Sequence, residues 1–128
     1  MTNPAAEAYK RQQVMTATPE ALTLMLYNGC LRFLSEGMKA LEEKKYEAAN
    51  TALQKSQKII NEFRMTLKME YEISKQLMPL YDYCYDRIFI GNLKSDLAPL
   101  KEAQTIMTEL RDAWAQAMKK ARMERGEQ

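Results

Sequence analysis

From Thr18 onward, apolar side chains return every three or four residues, and little interrupts them. That rhythm sorts residues onto helix faces; a pleated strand would need alternation every two residues. Only four Gly and four Pro occur in 128 residues, so breakers are confined to a few points. Ala, Leu, Met, Glu, Lys and Gln dominate the rest, and all lose little on entering a helix. The chain is therefore expected to be all-α, and its length suits one domain.

Caps and breakers divide the pattern into four helices. Thr18-Pro19-Glu20 combines a capping hydroxyl, a proline suited to the first helical position and a carboxylate at the positive dipole end. The first helix should run to about Glu43, with Leu22, Met25, Leu26, Cys30, Phe33 and Leu41 at helical steps. Leu24, Leu31, Leu34 and Met38 widen its stripe, as in a central helix. After a polar bend over Glu42–Lys45, a second helix runs from Tyr46 to Leu67, with Leu53, Ile60 and Phe63 on one face. The third carries Ile73, Leu77, Leu80, Tyr81, Cys84, Ile88 and Phe89; Pro79 either kinks it or marks its start, and Gly91-Asn92 is expected to stop it. Ser95 or Asp96 caps the fourth helix, whose rhythm through Leu100, Met107, Leu110 and Trp114 makes Trp114 an expected core residue. Four such helices on short connections predict an antiparallel four-helix bundle over residues 18–123. Residues 1–17 are expected to be a flexible arm or cap, with a short helix starting at Pro4 at most, and residues 124–128 a polar tail.

Histidine is absent, which removes His-dependent nucleophilic triads, His-based zinc sites and the Glu-x-x-His pairs of diiron bundles. Cys30 and Cys84 are too few for a cysteine-only zinc site, and the glycines at 29, 37, 91 and 126 form no phosphate-binding loop. Asp82 and Asp86 share a helix face near Arg87 and read as a wet acidic surface. No catalytic, metal or cofactor residue is assigned, and the reading is not an enzyme. The balance of 19 basic and 17 acidic residues lacks the basic stripe that nucleic acid requires; Lys119, Lys120, Arg122 and Arg125 suit a helix C-terminus. No run of 18 apolar residues predicts membrane insertion, and the first residues lack the pattern of a secretory signal. Cys30 and Cys84, each inside an apolar pattern, read as reduced core thiols of a cytoplasmic protein.

Aromatic groups exceed what one buried stripe can absorb. Tyr81, Tyr83 and Tyr85 alternate on one helix and point in different directions, and Tyr27 sits beside the Leu26/Cys30 face. The surplus favours exposed apolar grooves that bind another polypeptide, with Met and Tyr as adaptable contacts. Tyr9 and Val14 on the arm make it a self-ligand for such a groove. A scaffolding homo-oligomer that buries the surplus against itself is the alternative.

An ordered set of short motifs sharpens this reading. Tyr9 with Gln12, Gln13 and Val14 precedes Thr18-Pro19-Glu20 and Leu22; Met25-Leu26-Tyr27-Asn28-Gly29 follows, then Lys58-Ile59-Ile60-Asn61-Glu62 and Leu67. Leu80-Tyr81-Asp82-Tyr83, Asn92 and Leu110-Arg111-Asp112-Ala113-Trp114 complete it. In order and spacing this set resembles the flagellar secretion chaperone family FliS. The resemblance implies a cytoplasmic helical bundle that binds the disordered C-terminal segment of flagellin, prevents early polymerisation and assists delivery to the export gate protein FlhA. It implies no cofactor, and it leaves further flagellar partners and a homodimer open. Carried onto this chain, it makes Tyr9 and Val14 part of a movable cap. Leu22, Met25, Leu26 and Tyr27 become the first-helix end of the cargo-binding architecture, with Tyr81 and Tyr83 its third-helix counterpart. Asn28 stands where the family commonly has Asp, Pro79 is atypical, and the usual Gly of the second turn is missing around Lys68–Glu72.

Overall fold

A computed structural model describes residues 3–126, which form five helices and no strand among them. They are α1 (Pro4–Thr16), α2 (Pro19–Glu42), α3 (Tyr46–Thr66), α4 (Glu72–Lys94) and α5 (Leu97–Glu124). The all-helical expectation holds, and the four helices read from the sequence correspond to α2–α5. Met1, Thr2, Glu127 and Gln128, at the ends of the expected arm and tail, lie outside the described residues.

Contacts along the chain show that each neighbouring pair runs antiparallel. Between α2 and α3, Cys30 meets Ser56 while Gly37 meets Leu53. Between α3 and α4, Asn50 bonds Asn92, and Arg64 bonds Asp82 at 3.1 Å. Tyr83 reaches Glu102 and Gly91 packs on Leu100 between α4 and α5. Ser35 bonds Gln104 and Asn28 bonds Arg111, which closes α5 back onto α2. Leu34, Leu53, Ile88, Leu100 and Met107 are fully buried in the space these helices enclose. The large apolar area removed from water there is what holds four individually marginal helices together.

Local chemistry sets most boundaries as read. Thr18 accepts from the Ala21 amide at 3.1 Å with Pro19 behind it, and Asp96 accepts from Ala98 at 3.0 Å to open α5. Several readings need correction. The expected stop at Gly91-Asn92 is absent, because α4 continues to Lys94 and Ser95 takes the left-handed cap at φ 51°. Gly91 serves close packing instead: a Cβ there would lie 2.6 Å from Leu100 Cδ2 and 2.9 Å from the Asp96 carbonyl oxygen. Of the two readings of Pro79, the interior one holds: it lies inside α4 and does not start it. The arm is more helical than expected. Asn3 caps α1, Pro4 occupies its first turn, and the Thr16 hydroxyl bonds back to the Gln12 carbonyl in its last turn. Yet α1 buries none of its residues.

The helix faces also differ from the periodic pattern. Ile73 and Phe89 are exposed although they share the spacing of buried Tyr81, Cys84 and Ile88, while Ser74 is buried. Phe33 is only partly buried, with the guanidinium of Arg32 and the ammonium of Lys55 over its ring. Trp114 is likewise packed against the core's edge and not within it; its indole N–H donates to the Glu20 carbonyl at 3.0 Å. That polar requirement draws the ring to the helix start, where a carbonyl is within reach.

Candidate protein-binding surface

The enclosed core ends at an aromatic layer. Phe63 of α3 lies between Tyr27 of α2, at 4.5 Å between ring centroids, and Tyr81 of α4, at 5.4 Å. The two phenol groups share a hydrogen bond of 2.6 Å, although each residue is only 3% exposed. Each hydroxyl satisfies the other, which removes the cost of an unpaired buried polar group. Burial raises both phenol pKa values; the bond to Tyr81 opposes the shift at Tyr27, while the bond to Tyr27 adds to it at Tyr81. One layer deeper, Cys30 and Ser56 meet at 3.1 Å and the Ser56 hydroxyl also lies 3.0 Å from the Cys30 carbonyl. Burial pushes the Cys30 thiol up to about 11, with the Ser56 bond opposing, and Cys84 up to about 12. Both cysteines are free thiols in the interior, as the sequence suggested.

Beyond this layer the helices continue, but among the described residues no apolar side chain is fully buried. The pole formed by the start of α2, the end of α3, the start of α4 and the end of α5 carries Met25, Leu26, Met65, Ile73, Leu80 and Met123, all exposed. The α3–α4 connection adds Met69 and Tyr71. On α5 no residue after Met107 is fully buried. A cleft of about 640 Å³ opens at this pole between α2 and α5, floored by Ala21, Trp114, Ala117 and Met118 and edged by Glu20 and Arg122. We call this the open pole, and the opposite end the closed pole.

The residues singled out from sequence fall into three settings. Met25 and Leu26 are on the open pole's surface and Leu22 is half-buried beside them. Tyr27 and Tyr81 are interior and present almost no surface, so they shape the site from below. Tyr83 is exposed at mid-bundle, where its hydroxyl donates to Glu102 at 3.0 Å and the Arg87 guanidinium lies over its ring. The bond to that carboxylate raises the Tyr83 pKa. Tyr9 and Val14 project into solvent from α1, 64% and 49% exposed, so the arm occupies no groove in this arrangement.

A second groove, also about 640 Å³, lies between α3 and α4 toward the closed pole. Its walls are Tyr46, Asn50, Gln54, Gln57 and Asn61 on α3, facing Tyr85, Phe89 and Asn92 on α4. Sequence reasoning treated Phe89 as a core residue and passed over the amides. A signal was present, since Tyr46, Asn50, Gln54, Gln57 and Asn61 recur at steps of three and four.

Comparison with known proteins bears on the whole arrangement. The family model described as Flagellar protein FliS matches residues 1–121. The flagellar secretion chaperone FliS of Bacillus subtilis is 43% identical over 118 residues, spanning 92% of this chain and 89% of the Bacillus protein. The Salmonella typhimurium flagellar secretion chaperone FliS is 32% identical over 119 residues, covering 91% and 88% of the two chains. A crystal structure of a bacterial flagellar chaperone superposes with a TM-score of 0.74 at 20% identity, over 91% of this chain and 99% of that one, a likeness of fold. Among the described residues no helix is long and apolar enough to cross a membrane. A family match over nearly the full length, with an ordered set of motifs and a helical surface left apolar at one pole, assigns the chain: it belongs to the FliS family of flagellar secretion chaperones.

Proposed function

We propose that this protein binds the disordered C-terminal segment of flagellin in the cytoplasm, prevents its premature polymerisation and assists its delivery to the export apparatus through the gate protein FlhA. The working unit is an antiparallel four-helix bundle over residues 18–123, with residues 1–17 as an arm or cap helix and 124–128 as a polar tail. The observation that carries the reading is the open pole. A FliS-family chain leaves Met25, Leu26, Ile73 and Leu80 in water at one end of an otherwise packed bundle. Apolar side chains left exposed in this way are characteristic of a site for another polypeptide. Leu22, Met25 and Leu26 supply contact area there, Tyr27 and Tyr81 hold the layer beneath, and Tyr83 extends the surface along α4. The role is binding, without catalysis or a cofactor.

Tyr9 and Val14 give α1 the character of a cap. Burying one such side chain stabilises a docked arm by about 1.5–3 kcal/mol, while ordering the chain costs roughly 1–2 kcal/mol per residue. Summed over the arm, the ordering cost exceeds what two side chains return, so a docked arm is held weakly and yields to cargo. Calorimetric titration with flagellin that retains or lacks its C-terminal segment tests the proposal. Binding that needs the segment, with a clearly negative heat-capacity change, is expected from apolar burial by a folding ligand. Equal binding of both flagellins, or none, would refute it. Light scattering that shows a homodimer unable to accept flagellin would favour the scaffolding alternative.

A further inference from the structure

We propose that the open pole is a site of reversible methionine oxidation, where hydrogen peroxide converts the exposed thioethers of Met25, Met65, Met69 and Met123 to sulfoxides. The change turns an apolar binding surface polar. The inference rests on the chaperone reading and makes cargo binding at this pole sensitive to peroxide.

Sulfur is distributed unevenly over the bundle. On the closed side of the tyrosine layer, Met38 and Met107 are buried, 8% and 0% exposed. At the open pole Met25, Met65, Met69 and Met123 are 37%, 74%, 45% and 68% exposed. Met15, on the arm, is the other exposed methionine among the described residues. Within the bundle an oxidant in solution therefore meets exposed sulfur at one end. The thiols are protected in two ways. Cys30 and Cys84 are out of contact with water, and burial raises both pKa values, which withholds the thiolate that peroxide attacks. A thioether has no proton to lose, so its oxidation follows access.

Local bonding on α3 suits the oxidised state as well. Asn61 Nδ2 donates to the Met65 sulfur at 3.6 Å, one helical turn away. Arg64 holds the other end of that amide by donating to Asn61 Oδ1 at 3.1 Å, and it also donates to Asp82 at 3.1 Å. A thioether sulfur is a weak acceptor and a sulfoxide oxygen a strong one, so the product at Met65 meets a donor already aimed at it. In the reaction the sulfur lone pair attacks one peroxide oxygen, and the S–O bond forms as the O–O bond breaks. Sulfur loses two electrons, and the departing hydroxide takes the proton of the transferred oxygen and leaves as water. Methionine sulfoxide reductases reverse the change with two thiols, which become a disulfide as the oxygen leaves as water. Because these side chains lie on the surface, oxidation spares the core and replaces adaptable apolar contacts with polar ones.

The test treats the full chain with hydrogen peroxide, removes the peroxide, and then adds a flagellin C-terminal segment. Peptide mass spectrometry reads the sulfoxide at each methionine, and calorimetry reads affinity. Met65 and Met123 should oxidise first and Met69 and Met25 next, while Met38, Met107, Cys30 and Cys84 stay unmodified and the chain stays helical. Affinity should fall about tenfold or more, as for the loss of at least one buried apolar side chain, and return after treatment with methionine sulfoxide reductases. A variant carrying Met25→Leu, Met65→Leu, Met69→Leu and Met123→Leu keeps apolar volume without sulfur. It should bind as the wild type does and lose less than about twofold on peroxide treatment. Sulfoxides at the open pole with unchanged affinity, or an equal loss in the leucine variant, would overturn the proposal and leave the chaperone reading standing. Oxidation of Met38 and Met107 in step with Met65 would overturn it too. So would affinity that stays low once the reductases have removed the sulfoxides, whatever the leucine variant does. Failure of the untreated wild-type chain to bind the segment would remove both readings.

Discussion

The two poles of the bundle are built from the same helices yet spend their apolar residues differently. At the closed pole, Gly37 and Gly91 omit side chains so that Leu53 and Leu100 can fill the space between backbones. Leu34, Leu53, Ile88 and Leu100 lose all contact with water there. At the open pole, Met25, Leu26, Ile73 and Leu80 occupy equally helical positions and remain exposed. The Tyr27–Phe63–Tyr81 layer divides the two regimes. Fully buried apolar side chains therefore concentrate on one side of that layer, while exposed ones occur on both, Phe89 and Leu93 among them on the closed side. An α-helix transmits no obligation to pack along its whole length, so one element can serve both ends.

The strongest way to break this comparison is to truncate an equal side chain at each pole. Leu100→Ala should cost about 2–5 kcal/mol of unfolding free energy, because a fully buried leucine leaves a cavity. Leu26→Ala, partly exposed, should cost well under about 1 kcal/mol but weaken flagellin binding. Denaturant melts and calorimetry on the two variants check this; a large stability loss from Leu26→Ala would show that the open pole is structural.

A smaller effect locates the boundary. Tyr81→Phe leaves the Tyr27 hydroxyl buried without its partner and should cost about 1–3 kcal/mol. The double variant Tyr27→Phe with Tyr81→Phe removes both polar groups and should recover most of that loss. Additive losses in the double-mutant cycle would mean that the hydroxyl pair is not a coupled unit at the layer's centre.

The least effect near neutrality comes from the thiols beneath the layer. Cys30 and Cys84 have folded values of about 11 and about 12 against an ordinary value of 9.0, so the unfolded chain releases their protons first. Stability should therefore be unaffected by these groups below pH 9 and fall as pH rises from there toward 11 or 12. Alkaline melts of wild type and Cys84→Ala would check the sign, with a shallower decline expected in the variant. A thiol reagent should label neither cysteine quickly in the native state; rapid labelling would show that the closed side is not tightly packed.

Much of the fold was legible because it depends on short-range chemistry. The Thr18-Pro19 start, the Asp96 cap and the buried pattern of Tyr81, Cys84 and Ile88 follow from residues a few positions apart. The site was less legible for a reason visible at Tyr27 and Met25. They are neighbours on one helix, both assigned to the first-helix end of the cargo-binding architecture, but the structure buries the first and exposes the second. The α3–α4 groove was missed because amides at helical spacing look like any solvated face until an opposing helix supplies Tyr85 and Asn92.

By itself the sequence determined that the chain would be helical, where most helices would begin and which chemistries were excluded. Hydrogen bonding within a turn, capping by a nearby side chain and the absence of a residue type are local or compositional properties. Only the tertiary structure decided that Gly91 is a packing contact and not a stop, that Trp114 bonds the start of α2 from the core's edge, and that α1 forms a helix without burying any residue. It also decided which apolar residues remain in water. Burial belongs to the space between helices, and that space is set by neighbours far away in the chain, which periodicity along a single helix does not contain.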